Sequence, residues 1–163
     1  MSARRRPWIA LILSLALWPC FATSSPAAEA RPFNAGSLAA IQAEQAGRRF
    51  VLVFWSATCL PCVKELPSWG RRMNKYPAVP ILLVNLDPVA NQAAAIEMAS
   101  RKAGRLIRQW VFADEVPERV YWAVDRTWHG EAPFTLLFGA NQRVEKHYGP
   151  ISNAEISRWY AAR

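Results

Sequence analysis

The sequence predicts one α/β domain in which helices pack on a central mixed β-sheet. Three observations point there. Two continuous apolar runs, Phe50 to Trp55 and Val79 to Leu86, have the length and all-apolar character of strands buried on both faces. Helical patterns stand before, between and after them. The final third offers two short strands around a turn and then a capped helix, so a β-α-β half is followed by a β-β-α half.

The elements follow in order. Ser37 is placed to cap a helix reaching about Ala46, with Leu38 and Ile41 on one face and Gly47 as its stop. After the first buried strand, a helix is expected from Cys59 to about Lys75, with Pro67 interrupting its hydrogen-bond ladder. The second buried strand ends at Asp87-Pro88, and an Ala-rich helix is expected from Val89 to about Arg108, weakened by Gly104. Trp110 to Ala113 reads as a short strand, and Pro117 to Val124 as a helical turn with proline at its first position. Phe134 to Phe138 and Arg143 to Tyr148 form an antiparallel hairpin across Gly139 to Gln142. Ser152-Asn153-Ala154-Glu155 is a capping box for a last helix that carries Ile156 and Trp159 inward.

Composition bounds the rest. The chain has 163 residues, 52% of them hydrophobic and 20% charged, with eight Trp; that much apolar surface offsets the ordering entropy of a compact fold and argues against disorder. Arg4-Arg5-Arg6, the apolar run Trp8 to Trp18 and the small residues closing at Ala28-Glu29-Ala30 have the order of an export leader. This largely apolar run of 11 residues is short against the roughly 20 that a spanning helix needs. A leader over residues 1–30, cleaved rather than retained as an anchor, and a domain over 31–163 are therefore expected. Bulky Trp18 and rigid Pro19 before Cys20 disfavour lipid attachment there. Cleavage removes three Arg, one Glu and Cys20, which leaves a formal net charge of +6 and two cysteines. The remaining basic residues are scattered, without the aromatic interleaving of a nucleic-acid surface, so no nucleic-acid partner is expected.

Those two cysteines, Cys59 and Cys62, are too close in sequence to staple a domain, and in an oxidising compartment such a pair reacts rather than braces. A thiolate attacks disulfides, so one cysteine must be made acidic and the second kept within reach. Cys59 stands where a buried strand gives way to a helix, at the positive end of the helix dipole. Cys62 follows one turn later on the same face. Cys59 is thus the attacking residue and Cys62 the resolving one. A closed zinc site needs four ligands, and beyond the pair only His129 and His147 are available; no metal site is expected.

Phe54-Trp55-Ser56-Ala57-Thr58-Cys59-Leu60-Pro61-Cys62 resembles the active-site segment of thioredoxins, and Lys64-Glu65-Leu66-Pro67 resembles its continuation in the TlpA/ResA-like exported thiol:disulfide reductases. Val84-Asn85-Leu86-Asp87, Ala132-Pro133-Phe134-Thr135 and Gly149 extend the resemblance over roughly residues 33 to 161. It implies a thioredoxin-like fold with an inserted segment around residues 88–128, which carries Trp110, Trp122 and Trp128. It implies that Pro133 is a cis-proline standing against the sulfurs, that Ala132 offers backbone groups to a bound peptide strand, and that Trp55 belongs to the substrate surface. Glu65 becomes a buried carboxylate that tunes the thiols and moves the proton Cys62 must lose.

The function so implied is a periplasmic thiol:disulfide oxidoreductase, a reductase of exported protein disulfides, apocytochromes awaiting haem among the family's substrates. Its electrons would come from a membrane-embedded donor. No cofactor beyond the Cys59–Cys62 disulfide is expected, and a monomer is. Two positions depart from thioredoxins: Thr58 stands where Trp is usual, and apolar Val53 where a buried Asp is usual. From a different class, exported chaperones of this fold bind Cu(I) through two thiolates and a histidine. His129 is the residue available for that role, with Met73 and Met98 the only thioethers beyond the leader.

Overall fold

In the computed structural model of the chain the described residues are 30–105, 107–114 and 116–162; the expected leader, apart from Ala30, lies outside them. Eleven elements follow one another: β1 Arg31–Phe33, α1 Ser37–Glu44, β2 Phe50–Trp55, α2 Leu60–Lys75, β3 Ile81–Asn85, α3 Val89–Ala103, β4 Arg108–Phe112, α4 Pro117–Val124, β5 Phe134–Phe138, β6 Val144–Tyr148 and α5 Asn153–Ala161. The strands form a six-stranded sheet in the order β1-β4-β3-β2-β5-β6. β1, β4, β3 and β2 run parallel, while β5 pairs antiparallel with both β2 and β6. The mixed sheet flanked by helices is the architecture expected from the sequence.

Strand alternation sorts the core into two layers. Val51, Val53 and Trp55 of β2 face a cluster with Leu66 and Trp69 of α2, Ala95 and Ala99 of α3, and Ile156 and Trp159 of α5. Phe50, Leu52 and Phe54 face the opposite cluster, with Leu38 and Ile41 of α1, Val120 of α4, and Trp128. Covering both faces explains why all six β2 residues are buried and why the strand reads as one apolar run.

Several boundaries differ from expectation, and three of them have a plain local reason. Ser37 is the first residue of α1, not its cap: Gly36 holds the cap position, and the Ser37 hydroxyl accepts from the Asn34 N–H at 2.8 Å. α3 ends at Ala103 because Gly104 adopts φ 104°, so Arg108 opens β4 instead of closing a helix. β1, only three residues long, is below the length at which alternation is readable; its register against Trp110, Val111 and Phe112 of β4 places it. The 88–128 segment supplies α3, β4 and α4, and β4 lies between β3 and β1. Within it Trp110 and Trp128 are core residues, whereas Trp122 is 65% exposed. No helix among the described residues is long and apolar enough to cross a membrane.

Candidate active site

The parallel strands β2 and β3 end side by side, with Trp55 paired to Asn85. β2 hands the chain to α2 through Ser56-Ala57-Thr58. Cys59 is the N-cap of α2 in extended backbone, and Pro61 occupies the first turn, where its missing N–H leaves no bond unmade. The helix thus begins one residue later than expected, with Cys59 at its very end. Cys59 and Cys62 are disulfide-bonded, S–S 2.08 Å. The Cys62 N–H points at Cys59 Sγ across 3.2 Å. In the reduced protein that donor and the helix dipole favour a thiolate on Cys59. Cys59 is partly exposed and Cys62 is 2% exposed, so Cys59 is the sulfur that solvent reaches.

Opposite the pair stands the loop entering β5. The Ala132–Pro133 peptide bond is cis, and the Ala132 carbonyl oxygen lies 3.5 Å from Cys59 Sγ. The Pro133 carbonyl accepts from the Gly149 N–H at 2.8 Å, which ties this loop to the end of β6. Cys59, Cys62, Ala132 and Pro133 are therefore brought together.

Glu65 lies on α2 one turn beyond Cys62. Its Oε1 accepts from the Ile151 N–H at 2.8 Å, and its buried Oε2 has no hydrogen-bond partner among the described residues. Burial holds its carboxyl above the usual carboxylate range, against the opposing pull of the Ile151 N–H, Arg72 and His147. Trp55, expected at the substrate surface, is instead 1% exposed and packs in the cluster that contains Cys62. It supports the pair from below. His129, the histidine considered for copper, has its side chain 76% exposed with Nδ1 3.7 Å from Glu131 Oε1. Among the described residues no group of three His, Cys, Asp or Glu is placed to hold a metal ion.

Sequence reasoning missed a polar cluster beneath the Ser56–Thr58 turn. Asp87, 3% exposed, accepts through Oδ2 from the Ala57 N–H and the Asn85 Nδ2, each at 2.8 Å, and through Oδ1 from the Ser56 hydroxyl. The signal was present: Asn85 and Asp87 are the polar residues that close an otherwise apolar run, and both are buried.

No protein-family model matches the chain, and no curated protein matches it. Solved structures do. The chain is similar to a secreted Mycobacterium tuberculosis disulfide oxidoreductase homologous to E. coli DsbE, with 21% identity, a TM-score of 0.59, and coverage of 73% of this chain and 84% of that one. It is similar to a thiol:disulfide interchange protein of the thioredoxin family from Chlorobium tepidum, with 18% identity, a TM-score of 0.57, and coverage of 74% and 82%. StoA from Bacillus subtilis matches at 20% identity and a TM-score of 0.51, over 71% of this chain and 84% of that one. With the mixed sheet, the Cys59–Cys62 disulfide at the start of α2 and the cis-Pro133 loop facing it, these likenesses show that the chain has the thioredoxin-like fold.

Proposed function

We propose that the protein is a thiol:disulfide oxidoreductase that reduces disulfides of exported proteins in the periplasm. The observation that carries this reading is the pair itself: a partly exposed Cys59 capping α2, bonded to a buried Cys62 and faced by the Ala132 carbonyl. The Cys59 thiolate attacks one sulfur of the substrate disulfide; that S–S bond breaks, and the departing substrate thiolate takes a proton. Cys62 then gives up its proton and attacks Cys59 Sγ. The second substrate thiolate leaves, the substrate has gained two electrons, and the protein is left as the Cys59–Cys62 disulfide.

Glu65 is the proton acceptor for Cys62 in this scheme, because a carboxyl raised by burial exchanges protons nearer neutral pH than a solvated one. Ala132 and Pro133 hold the substrate strand through backbone groups. The chemistry needs no cofactor beyond the disulfide, and a membrane-embedded donor restores the dithiol. Export follows from the leader pattern at the amino end.

The test is equilibration of the full chain against glutathione and dithiothreitol buffers, with the Cys59–Cys62 disulfide followed by peptide mass. A potential near the thioredoxin value of about −270 mV supports a reductase. A value near about −120 mV makes it a disulfide-forming oxidant, and failure to exchange at all removes the reading.

A further inference from the structure

The turn that delivers Cys59 to its helix is fastened from below by one buried side chain. Three donors converge on the Asp87 carboxylate: the Ala57 N–H, the Asn85 amide and the Ser56 hydroxyl. Asn85 in turn accepts the Asp87 N–H through Oδ1 at 3.2 Å, so the carboxylate is itself held at the end of β3. Having donated to Asp87, the Ser56 oxygen accepts from the Thr58 N–H at 3.1 Å and lies 2.8 Å from the Thr58 hydroxyl, which becomes the donor in that pair. The Ser56 carbonyl then receives the Cys59 N–H at 3.2 Å. A continuous chain of hydrogen bonds runs from Asp87 through Ser56 to the residues on which Cys59 Sγ depends for its position at the N-terminus of α2.

We infer that Asp87 is a positioning residue for the redox pair, acting through Ser56 to fix Cys59 at the helix N-terminus. The role suits this chain in particular. Thr58 precedes the first cysteine, so no bulky side chain wedges the turn in place, and Ser56 and Thr58 supply the hydroxyls that Asp87 gathers. Buried polar groups are costly unless every one is partnered, and here both carboxylate oxygens and the donors around them are satisfied within one turn. The inference rests on the thiol:disulfide reading for its meaning, but its test does not require substrate turnover.

Two variants probe it in the full chain, reduced and alkylated over a range of pH, with modification of Cys59 read by peptide mass. Ser56→Ala removes the relay without removing a charge. Loss of its hydrogen bonds frees the turn, Cys59 ionises at higher pH, and its alkylation rate at neutral pH falls about threefold, the effect of roughly one hydrogen bond. Asp87→Asn offers one acceptor oxygen to three donors and shifts the profile in the same direction by at least as much. The double variant shifts it no further than Asp87→Asn alone, because both changes cut one chain.

A Ser56→Ala protein that folds and keeps the parent pH profile overturns the inference, whether or not Asp87→Asn folds. Additive shifts in the double variant overturn the relay through Ser56. If the parent protein fails to exchange disulfides yet the Ser56→Ala profile moves, the proposed function is wrong and the positioning role stands. If the parent exchanges disulfides and the Ser56→Ala profile does not move, the proposed function stands and the positioning role is wrong.

Discussion

The Ile151 N–H donates to Glu65 Oε1 across 2.8 Å, while the Ile151 carbonyl accepts from Arg72 Nη2 at 3.3 Å. Ile151, three residues after β6, is thereby gripped by two side chains of α2, and the loop that also holds the Pro133 carbonyl through Gly149 is tied to the redox helix. The carboxyl so held is raised above its ordinary 4.5, desolvation being the largest cause. Because the folded protein favours the neutral acid, the stability Glu65 contributes is fully present below the unfolded value and is lost as pH rises through the folded value. Glu65→Gln keeps the acceptor for Ile151 but has nothing to ionise. Its stability relative to the parent therefore improves in urea titrations as pH rises above the ordinary carboxylate value of about 4. A parallel pH dependence in the two proteins would show that burial does not raise this carboxyl.

The two cysteines have unequal roles, which single substitutions separate. Of the pair, Cys59→Ser leaves only Cys62, 2% exposed in the parent, and Cys62 forms no adduct with a protein disulfide. Cys62→Ser still attacks but has no resolving thiol, so the mixed disulfide persists until an external thiol arrives, at least about 100-fold more slowly than the intramolecular step. Trapping by both variants, or by neither, contradicts the assignment. Non-reducing gels with mass identification of the bridged residue distinguish these outcomes.

The sequence was most legible where the physics is local or strongly periodic. β2, α4 and β5 match their expected bounds because continuous apolar runs, or a proline at a first helical turn, leave little alternative. The capping box at Ser152 and Glu155 forms with both reciprocal bonds. What escaped depends on residues far apart in sequence. β1 exists because β4 offers it an edge, and nothing within three residues announces that. Asp87 read as a turn residue before Pro88, yet it lies under a loop 30 positions earlier. The resemblance placed Trp55 at the substrate surface; strand alternation turns it inward, into the layer beneath Cys62.

Asp125 fastens the end of α4 to β6. Its side chain is 3% exposed and pairs with Lys146 of β6, and its Oδ1 accepts from the Thr127 N–H and hydroxyl, both at 2.7 Å. Lys146 is the largest cause holding its carboxyl down to about 2, with the Thr127 bonds adding to it against desolvation. A lowered carboxyl contributes stability that is present above the ordinary 3.8 and is lost as pH falls through about 2. Asp125→Ala costs about 2 kcal/mol at neutral pH, since it removes the buried, charged carboxylate that accepts from Lys146 and Thr127. The loss shrinks in acid, and denaturant titrations at neutral pH and near pH 2 check both statements. An equal loss at the two pH values would mean that packing, not charge, fastens the loop.

Gly70 lets α2 and the last turn of α3 approach closely. A Cβ built there would stand 2.2 Å from the Ala103 carbonyl oxygen and 2.8 Å from its carbon. The small residues Ala95, Ala99 and Ala103 form the buried stripe of α3 that faces this approach. Two effects compete in Gly70→Ala. Alanine is the better helix former by about 1 kcal/mol in an exposed position. Against that, the obstacle is backbone at the last turn of α3, directly before Gly104 and the entry to β4, so the helices must separate rather than a side chain rotate; overpacking of this kind costs about 1–3 kcal/mol. The steric effect is the larger because a carbonyl at that distance has no rotamer through which to move away. Gly70→Ala is therefore expected to lower the denaturant midpoint, by a net amount on the order of 1 kcal/mol, with the urea dependence unchanged. A midpoint raised by the full helix-propensity gain would show that α3 can withdraw from α2 without cost and that the contact does not set the helix spacing.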